Sequence, residues 1–339
     1  SLRGANEHHP VRLALEGEVL PGSSSDRRLG ASATLRVATG APLPEEADAV
    51  VMQELVRVDA GGTVGFCAET EPGKHAIARG EDVRAGEALL APGRRLRPQD
   101  AGLLASLGLT TVAVRRCPRI AIVVTGDEIR PPGGPARGTE VVDSNSIVLA
   151  ALARRDGALV GAPRYVPDRR DALAEALAGS DADVVLVSGG SSVGPEDHAP
   201  AVVRELGALV FHGVAMRPGG PVGFGRVGPR SIGLMPGHPV ACLVAYETFS
   251  GPLIRTLGGR SAAWPHAVLR APLAEPVSSE RGRTDVLRVR LVDGAVAVLA
   301  RGGASSLSSA VRSDGWLVVD DGTEHLDAGA LVEVRSFDG

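Results

Sequence analysis

The amino-acid sequence predicts a multidomain α/β protein. A central doubly wound sheet domain is flanked by a β-rich amino-terminal domain and a small all-β carboxyl-terminal domain. Three observations predict this. Between Arg119 and about Gly259, short apolar runs alternate with helical patterns, the texture of βα units and a parallel sheet. Three of the runs end in glycine turns: Ile120–Val124 into Thr125-Gly126-Asp127-Glu128, Val184–Val187 into Ser188-Gly189-Gly190-Ser191-Ser192-Val193-Gly194, and Ile232–Leu234 into Met235-Pro236-Gly237-His238-Pro239. Outside this stretch the apolar runs are short and are punctuated by turn residues. A chain of 339 residues has room for several domains. The expected segments are 1–80, a helical linking segment at 81–118, the α/β domain at 119–260 and the last β domain at 261–339.

Each element has a local reason. Val11–Leu15 and Leu35–Ala38 alternate or cluster apolar residues as strands do, and Pro21–Ser25 and Ala60-Gly61-Gly62 are turns. Thr39-Gly40-Ala41-Pro42-Leu43-Pro44 is a stiff loop, because two prolines fix φ. Pro98–Leu107 is helical, with Pro98 suited to the first turn and Gly108 to the stop. After the boundary at Cys117-Pro118 comes the strand Ile120–Val124, then a helix at Asn145–Arg155 capped by Asp143 or Ser144 and stopped at Gly157. A short strand is expected near Leu159–Tyr165, and a helix at Asp168–Ala178 beginning on an Asp cap. Val184–Val187 has four consecutive apolar residues, as in a sheet covered on both faces. Helices follow at Ala199–Leu206 and from Val240, the latter kinked or interrupted by Pro252. Beyond Ala262, Val286–Leu291 alternates with Arg288 and Arg290, and Val296–Leu299, Leu317–Val319 and Leu331–Val334 are further strands. Asp293-Gly294 and Asp321-Gly322 are turn pairs.

Composition excludes several classes. Hydrophobic residues make up 44% of the chain but aromatics only 3%, so the cores are built of Ala, Val and Leu. A formal net charge of -4 without a long basic run argues against nucleic acid as the main partner. Cys67, Cys117 and Cys242 are scattered, without CxxC or Cys/His pairing, and read as small hydrophobes. No apolar stretch spans a bilayer and no signal peptide is visible, so a cytoplasmic protein without a membrane partner is expected.

Parallel sheets place ligands outside the carboxyl ends of their strands. Three such ends made of small, backbone-exposing residues point to one site for an anionic, phosphorylated ligand. In the Ser188–Gly194 loop, glycines permit close approach and Ser188, Ser191 and Ser192 add hydroxyls, although a plain structural turn has the same composition. Asp197 can hold Mg2+, accept from the N–H edge of a heterocycle, or cap the next helix. Asp127 and Glu128 can bind a divalent cation, act as acid and base, or form a turn; with Asp143 they make an acidic ring. Arg217, ahead of Pro218-Gly219-Gly220-Pro221, reads as an oxyanion clamp or a solvated side chain. His238, between Gly237 and Pro239, is a ligand contact or a structural histidine.

Together these turns resemble the molybdenum insertase family, the MoeA and gephyrin E-domain proteins. Thr39–Pro44 with Ala47–Glu54 is similar to the family's TGAPLPxGADAVVxxE; Thr125–Glu128 to TGDE; Asp143-Ser144-Asn145 to DSN. Ser188-Gly189-Gly190 through Ser192, Gly194 and Asp197 resembles SGGVSVGxxD. Gly282-Arg283-Thr284-Asp285 and Leu307-Ser308-Ser309 resemble GRTxFxR and LSSLAxADG. The resemblance covers almost the whole chain. It implies a bent homodimer whose central domain, of the molybdopterin-binding type, takes adenylylated molybdopterin. It also implies a reaction that inserts molybdate and releases AMP with a divalent cation, Mg2+. It assigns catalytic roles to Thr39, Asp127, Glu128, Asp197 and Arg217, with Glu128 and Asp197 on the metal. It assigns ligand contacts to Thr125, Gly126, Asp143, Asn145, Ser188, Gly189, Gly190, Ser192, Gly194, Pro218, Gly219, Pro221, Pro236, Gly237, His238, Pro239 and Ser308. Thr39 would act across the dimer, and the molybdopterin adenylyltransferase is a further candidate partner. Segment 81–118 would be a remnant of the family's first domain.

The sequence also departs from the pattern. It opens Ser1-Leu2-Arg3-Gly4 without the family's SxxDGxA motif. KPGKP is here Arg217-Pro218-Gly219-Gly220-Pro221, so the second cation is lost; PGNP is Pro236-Gly237-His238-Pro239, and the valine of SGGV is Ser191. Two alternatives to the insertase therefore stand beside it. One is a degenerate paralogue that binds pterin or a partner without catalysis. The other is an unrelated nucleotide-dependent enzyme such as a dehydrogenase, which the lack of a dinucleotide fingerprint disfavours.

Overall fold

The computed structural model describes residues 2–24, 28–189, 198–300 and 303–337. The chain divides into two compact units, Ser1–Leu90 and Ala91–Gly339.

In the first unit, Val11–Val19 pairs in parallel with Ala33–Val37 and antiparallel with Thr63–Phe66, which in turn forms a hairpin with Val56–Val58. The period-two burial along Val11–Val19 follows its alternating sequence. Thr39 is exposed, just after the Ala33–Val37 strand, and Gly40 takes φ +82° in the following turn. The break between units falls after Leu90, and the stretch expected as a helical link holds one helix, Pro98–Ser106. Buried Asp100 fixes the start of that helix. Its carboxylate accepts from the Arg97 amide at 2.9 Å and from the Arg94 guanidinium at 2.7 Å.

The second unit is built on a seven-stranded sheet. The strands lie in the order Ala208–His212, Gly223–Val227, Arg230–Met235, Val184–Ser188 and Arg119–Thr125, and the last of these also pairs with Leu159–Val160 and Arg164–Val166. Gly223–Val227 runs antiparallel to both neighbours, because the two-residue Gly228-Pro229 turn returns the chain at once into Arg230–Met235. The other pairs are parallel. Alternate residues of the central strands feed two cores. Ile120, Ile122, Val124 and Leu186 pack under Leu149, Ala153 and Tyr246, whereas Val123, Val185 and Val187 pack under Leu173, Leu177, Val202 and Val203.

Several expectations are corrected. The strand expected at Leu159–Tyr165 is two short strands. The helix expected to start on Asp168 is Arg170–Ala178, because Asp168 is engaged at the rim of the sheet instead. Strands Ala208–His212 and Gly223–Val227 escape a sequence reading, the second because glycines at alternate positions resemble a loop. A Cβ at Gly225 would strike Val203 and the Ala208 carbonyl, and one at Gly223 would press on Leu234. The interruption expected at Pro252 is a π turn, Tyr246–Ser250, between the helices Pro239–Ala245 and Gly251–Leu257. Pro252 has no N–H for the helical ladder, so the ladder widens ahead of it.

The carboxyl-terminal strands form a six-stranded sheet over Leu287, Val289, Val296, Leu317, Val319 and Val334. It is not purely β, since it carries the short helix Leu307–Val311. Its edge strand is Met216–Arg217, which pairs in parallel with Thr284 and Asp285. That bridge explains why the last β segment shares one compact unit with the α/β segment.

Candidate functional site

Ser188 is opposite Val124 on one side and Met235 on the other, so Thr125-Gly126, Ser188-Gly189 and Pro236-Gly237 leave the sheet at the same end of three adjacent parallel strands. The amide of Asn145, at the first turn of the Asn145–Arg155 helix, joins two of these exits. Its Nδ2 donates to Ser188 Oγ at 3.0 Å and to the Gly237 carbonyl at 2.8 Å. Its Oδ1 is buried and accepts nothing from the described residues. The third exit is stapled to the same helix. Ile129–Arg130 pairs in parallel with Val141–Val142, so the turn after Thr125 and the Asp143-Ser144-Asn145 turn lie side by side.

Asp143 is the capping residue of the two expected. It is buried, accepts from the Ser146 amide at 3.0 Å and accepts the Tyr165 hydroxyl at 2.8 Å. Burial, with a further contribution from Asp143, raises the Tyr165 pKa. Asp143 is thus a structural carboxylate with both oxygens engaged, which removes it from the expected acidic ring. Thr125 Oγ1 donates to Asp168 Oδ1 at 3.1 Å, and the Asp168 amide donates to Asp127 Oδ1 at 3.1 Å. Asp127 and Glu128 are exposed at the rim.

Two glycines are required by geometry. Gly126 has φ +139°, and a Cβ there would stand 2.7 Å from Ile129. Gly189 has φ +94°, and a Cβ would run into the Thr125 carbonyl. Gly190, Ser192, Gly194 and Asp197 lie outside the described residues. Among the described residues no group of three or more His, Cys, Asp or Glu side chains is disposed to hold a metal.

The other turns reach this rim through the Pro239–Ala245 helix. His238 is exposed and makes no side-chain cap. The Val240 and Ala241 amides donate to the Ala304 carbonyl at 2.8 and 3.4 Å. This brings in the loop before the Leu307–Val311 helix, whose Ser308 is exposed. Pro236 and Pro218 are buried; Pro221 and Pro239 are half-buried. Gly219 takes φ +110°, and a Cβ there would displace the Met216 methyl group, with the Ala241 carbonyl 3.5 Å from that position.

Arg217, expected as an oxyanion clamp or a solvated side chain, is held on one side by a carboxylate of the protein. Nη2 donates to Asp285 Oδ2 at 2.7 Å, with the Arg217 side chain 44% exposed and Asp285 only 1%. Asp285 belongs to the Gly282-Arg283-Thr284-Asp285 motif, and its pairing with Arg217 is not visible in the sequence. Arg288 is also fully buried rather than alternating outward, and its Nε donates to Ser309 Oγ at 3.1 Å; burial lowers its pKa. A charged residue inside an apolar strand run was the signal for both. Thr39 belongs to the other compact unit. A cavity of about 510 Å³ opens at the opposite rim, lined by Arg119, Arg154, Leu159 and Asp181. None of the motif residues lines it.

The fold and these strand ends define a multidomain protein with an α/β ligand-binding centre. Family models match in sequence order: the MoeA N-terminal region (domain I and II) at residues 2–108, a probable molybdopterin binding domain at 121–256, and the MoeA C-terminal region (domain IV) at 270–337. The chain is 30% identical to a molybdopterin molybdenumtransferase of Haemophilus influenzae, covering 99% of this chain and 85% of the relative. It is 34% identical to molybdopterin molybdenumtransferase 2 of Mycobacterium tuberculosis, covering 98% and 84%. A solved molybdopterin biosynthesis MoeA protein from Pyrococcus horikosii superposes with a TM-score of 0.84 at 30% identity, covering 99% of this chain and 83% of that one. This chain belongs to the MoeA family.

Proposed function

We propose that the protein is a molybdopterin molybdenumtransferase, which inserts molybdate into adenylylated molybdopterin and releases AMP. The observation that carries this reading is the Asn145 amide, which ties the Ser188 and Gly237 strand ends into one rim. Its Oδ1, unpaired among the described residues, is an acceptor for a ligand N–H. Thr125 and Ser188 supply hydroxyls, and Gly126 and Gly189, at φ +139° and +94°, turn the chain sharply at the strand ends where the phosphates would lie. Asp127 and Glu128 are hard oxygen donors, a set that suits Mg2+. Glu128, with Asp197, would hold it, and Mg2+ when bound neutralises charge on the phosphoanhydride. Arg217, Ser308 and His238 would face the anionic substrates. On this reading the enzyme is a cytoplasmic homodimer, Thr39 serves the site of the second subunit, and the adenylyltransferase hands on the substrate. No helix among the described residues is long and apolar enough to cross a membrane.

A second reading is favoured by one observation. Gly220 removes a cation, and Arg217 is tied to Asp285. This supports a paralogue that binds pterin without turning it over. The two separate in one assay of the full chain with adenylylated molybdopterin, molybdate and Mg2+. AMP release, reduced at least about tenfold by Asn145→Ala through loss of charge-free but buried hydrogen bonds, supports the transferase. Tight calorimetric binding without AMP supports the paralogue, and neither binding nor AMP rejects both.

A further inference from the structure

We infer that Asp285 is a positioning residue for anion binding at the Arg217–Pro221 turn: a buried carboxylate that fixes the Arg217 guanidinium while its remaining N–H donors stay open to an anion. The inference deepens the transferase reading and rests on it for the identity of the anion.

The carboxylate is held from several directions. Asp285 Oδ1 accepts from Arg283 Nε at 3.0 Å, and Oδ2 accepts from Ser279 Oγ at 2.9 Å and from Arg217 Nη2 at 2.7 Å. Arg283 also pairs with Glu280. The backbone sets the encounter. Arg217 stands opposite Asp285 in the parallel Met216–Arg217 and Thr284–Val292 pair, and the Thr284 amide donates to the Ala215 carbonyl at 2.9 Å. The Gly282 amide, donating to the Asp321 carbonyl at 2.7 Å, anchors the turn that carries Arg283. Burial opposes ionisation of Asp285. Hydrogen bonds from Arg283 and Ser279 and the charges of Arg217 and Arg283 outweigh it, so its pKa is lowered and it stays a carboxylate.

A guanidinium presents five N–H donors in a rigid fork. Asp285 engages Arg217 through one nitrogen, and the side chain is 44% exposed, so the rest of the fork is presented outward. Arg217 is the one cationic residue of the Arg217-Pro218-Gly219-Gly220-Pro221 turn. Its orientation therefore decides whether the turn offers a fixed cation or a mobile one. A long side chain already immobilised loses less entropy when an anion arrives.

The test is calorimetric titration of molybdate alone into the full chain. The wild type is expected to bind, Asp285→Asn about tenfold more weakly, as expected for losing the fixed orientation of one rotamer-rich side chain. Arg217→Gln is expected to be weaker still, and the double variant no weaker than Arg217→Gln, since the carboxylate acts through the guanidinium. Failure of the wild type to bind, equal affinity of Asp285→Asn, or losses that multiply in the double variant would each overturn the inference. Should Asp285→Asn not fold, Ser279→Ala removes one support without stranding a charge. A several-fold weakening upholds the assignment, and unchanged affinity overturns it. AMP release is read separately. A wild type that binds molybdate with this coupling but releases no AMP fails the transferase reading and leaves Asp285 assigned.

Discussion

Gly189 is the residue at which the rim tolerates least. Its φ of +94° is one that side chains rarely adopt, and a Cβ would enter the Thr125 carbonyl of the neighbouring strand. Gly189→Ala is expected to cost about 2 kcal/mol or more from backbone strain and collision together. The measurement is a urea midpoint that falls while the slope of the transition holds; an unchanged midpoint would mean that the strand ends are not packed this closely. The glycine was visible in the sequence because turn chemistry is local. The Asn145 amide was visible only through resemblance, because its partners lie 43 and 92 positions away and meet it through sheet register. The partner of Arg217 was hidden for the same reason. It is chosen by the two-residue bridge to Thr284 and Asp285, which no spacing in the chain announces.

At the scale of elements, the run from Pro239 to Leu257 shows how a polar network holds a broken helix. Arg155, from the Asn145–Arg155 helix, donates to Glu247 at 2.6 and 2.9 Å and to Asp156 at 3.1 Å. Asp156 also accepts from the Tyr246 hydroxyl at 3.0 Å and from Arg255 at 2.9 Å. Glu247 and Tyr246 belong to the π turn, and Arg255 to the helix beyond it. Burial disfavours the Arg155 charge, but bonds to Glu247 and Asp156 raise its pKa overall. Glu247→Ala removes one of the two carboxylates on that guanidinium and leaves Asp156, and is expected to cost about 2 kcal/mol. Denaturant unfolding checks the loss, and the affinity for molybdate should stay unchanged at temperatures well below the melt. The start of this helix and the trouble at Pro252 were legible. The π turn was not, because Pro252 says only that the ladder is broken, whereas the places of Tyr246 and Glu247 are fixed by Asp156 and Arg155 at the end of another helix.

At the scale of the whole molecule, the sequence changes texture near residue 261, but texture is not independence. The Met216–Arg217 strand lies in the carboxyl-terminal sheet, and the Ala304 carbonyl receives the first amides of the Pro239–Ala245 helix. The α/β and last β segments therefore form one body. Apolar burial is spread unevenly between the two units. The buried apolar residues of Ser1–Leu90 are Ala5, Val19, Ala33, Val64 and Phe66, among the described residues, whereas the four hydrophobic clusters lie within Ala91–Gly339. Small units with little buried apolar surface are marginal on their own. A fragment of residues 91–339 is expected to unfold in one cooperative transition close to that of the full chain. A fragment of residues 1–90 should show no cooperative melt. Circular dichroism during heating checks both. A sharp transition from the short fragment, or a broad one from the long fragment, would show that stability is distributed otherwise than the buried side chains imply.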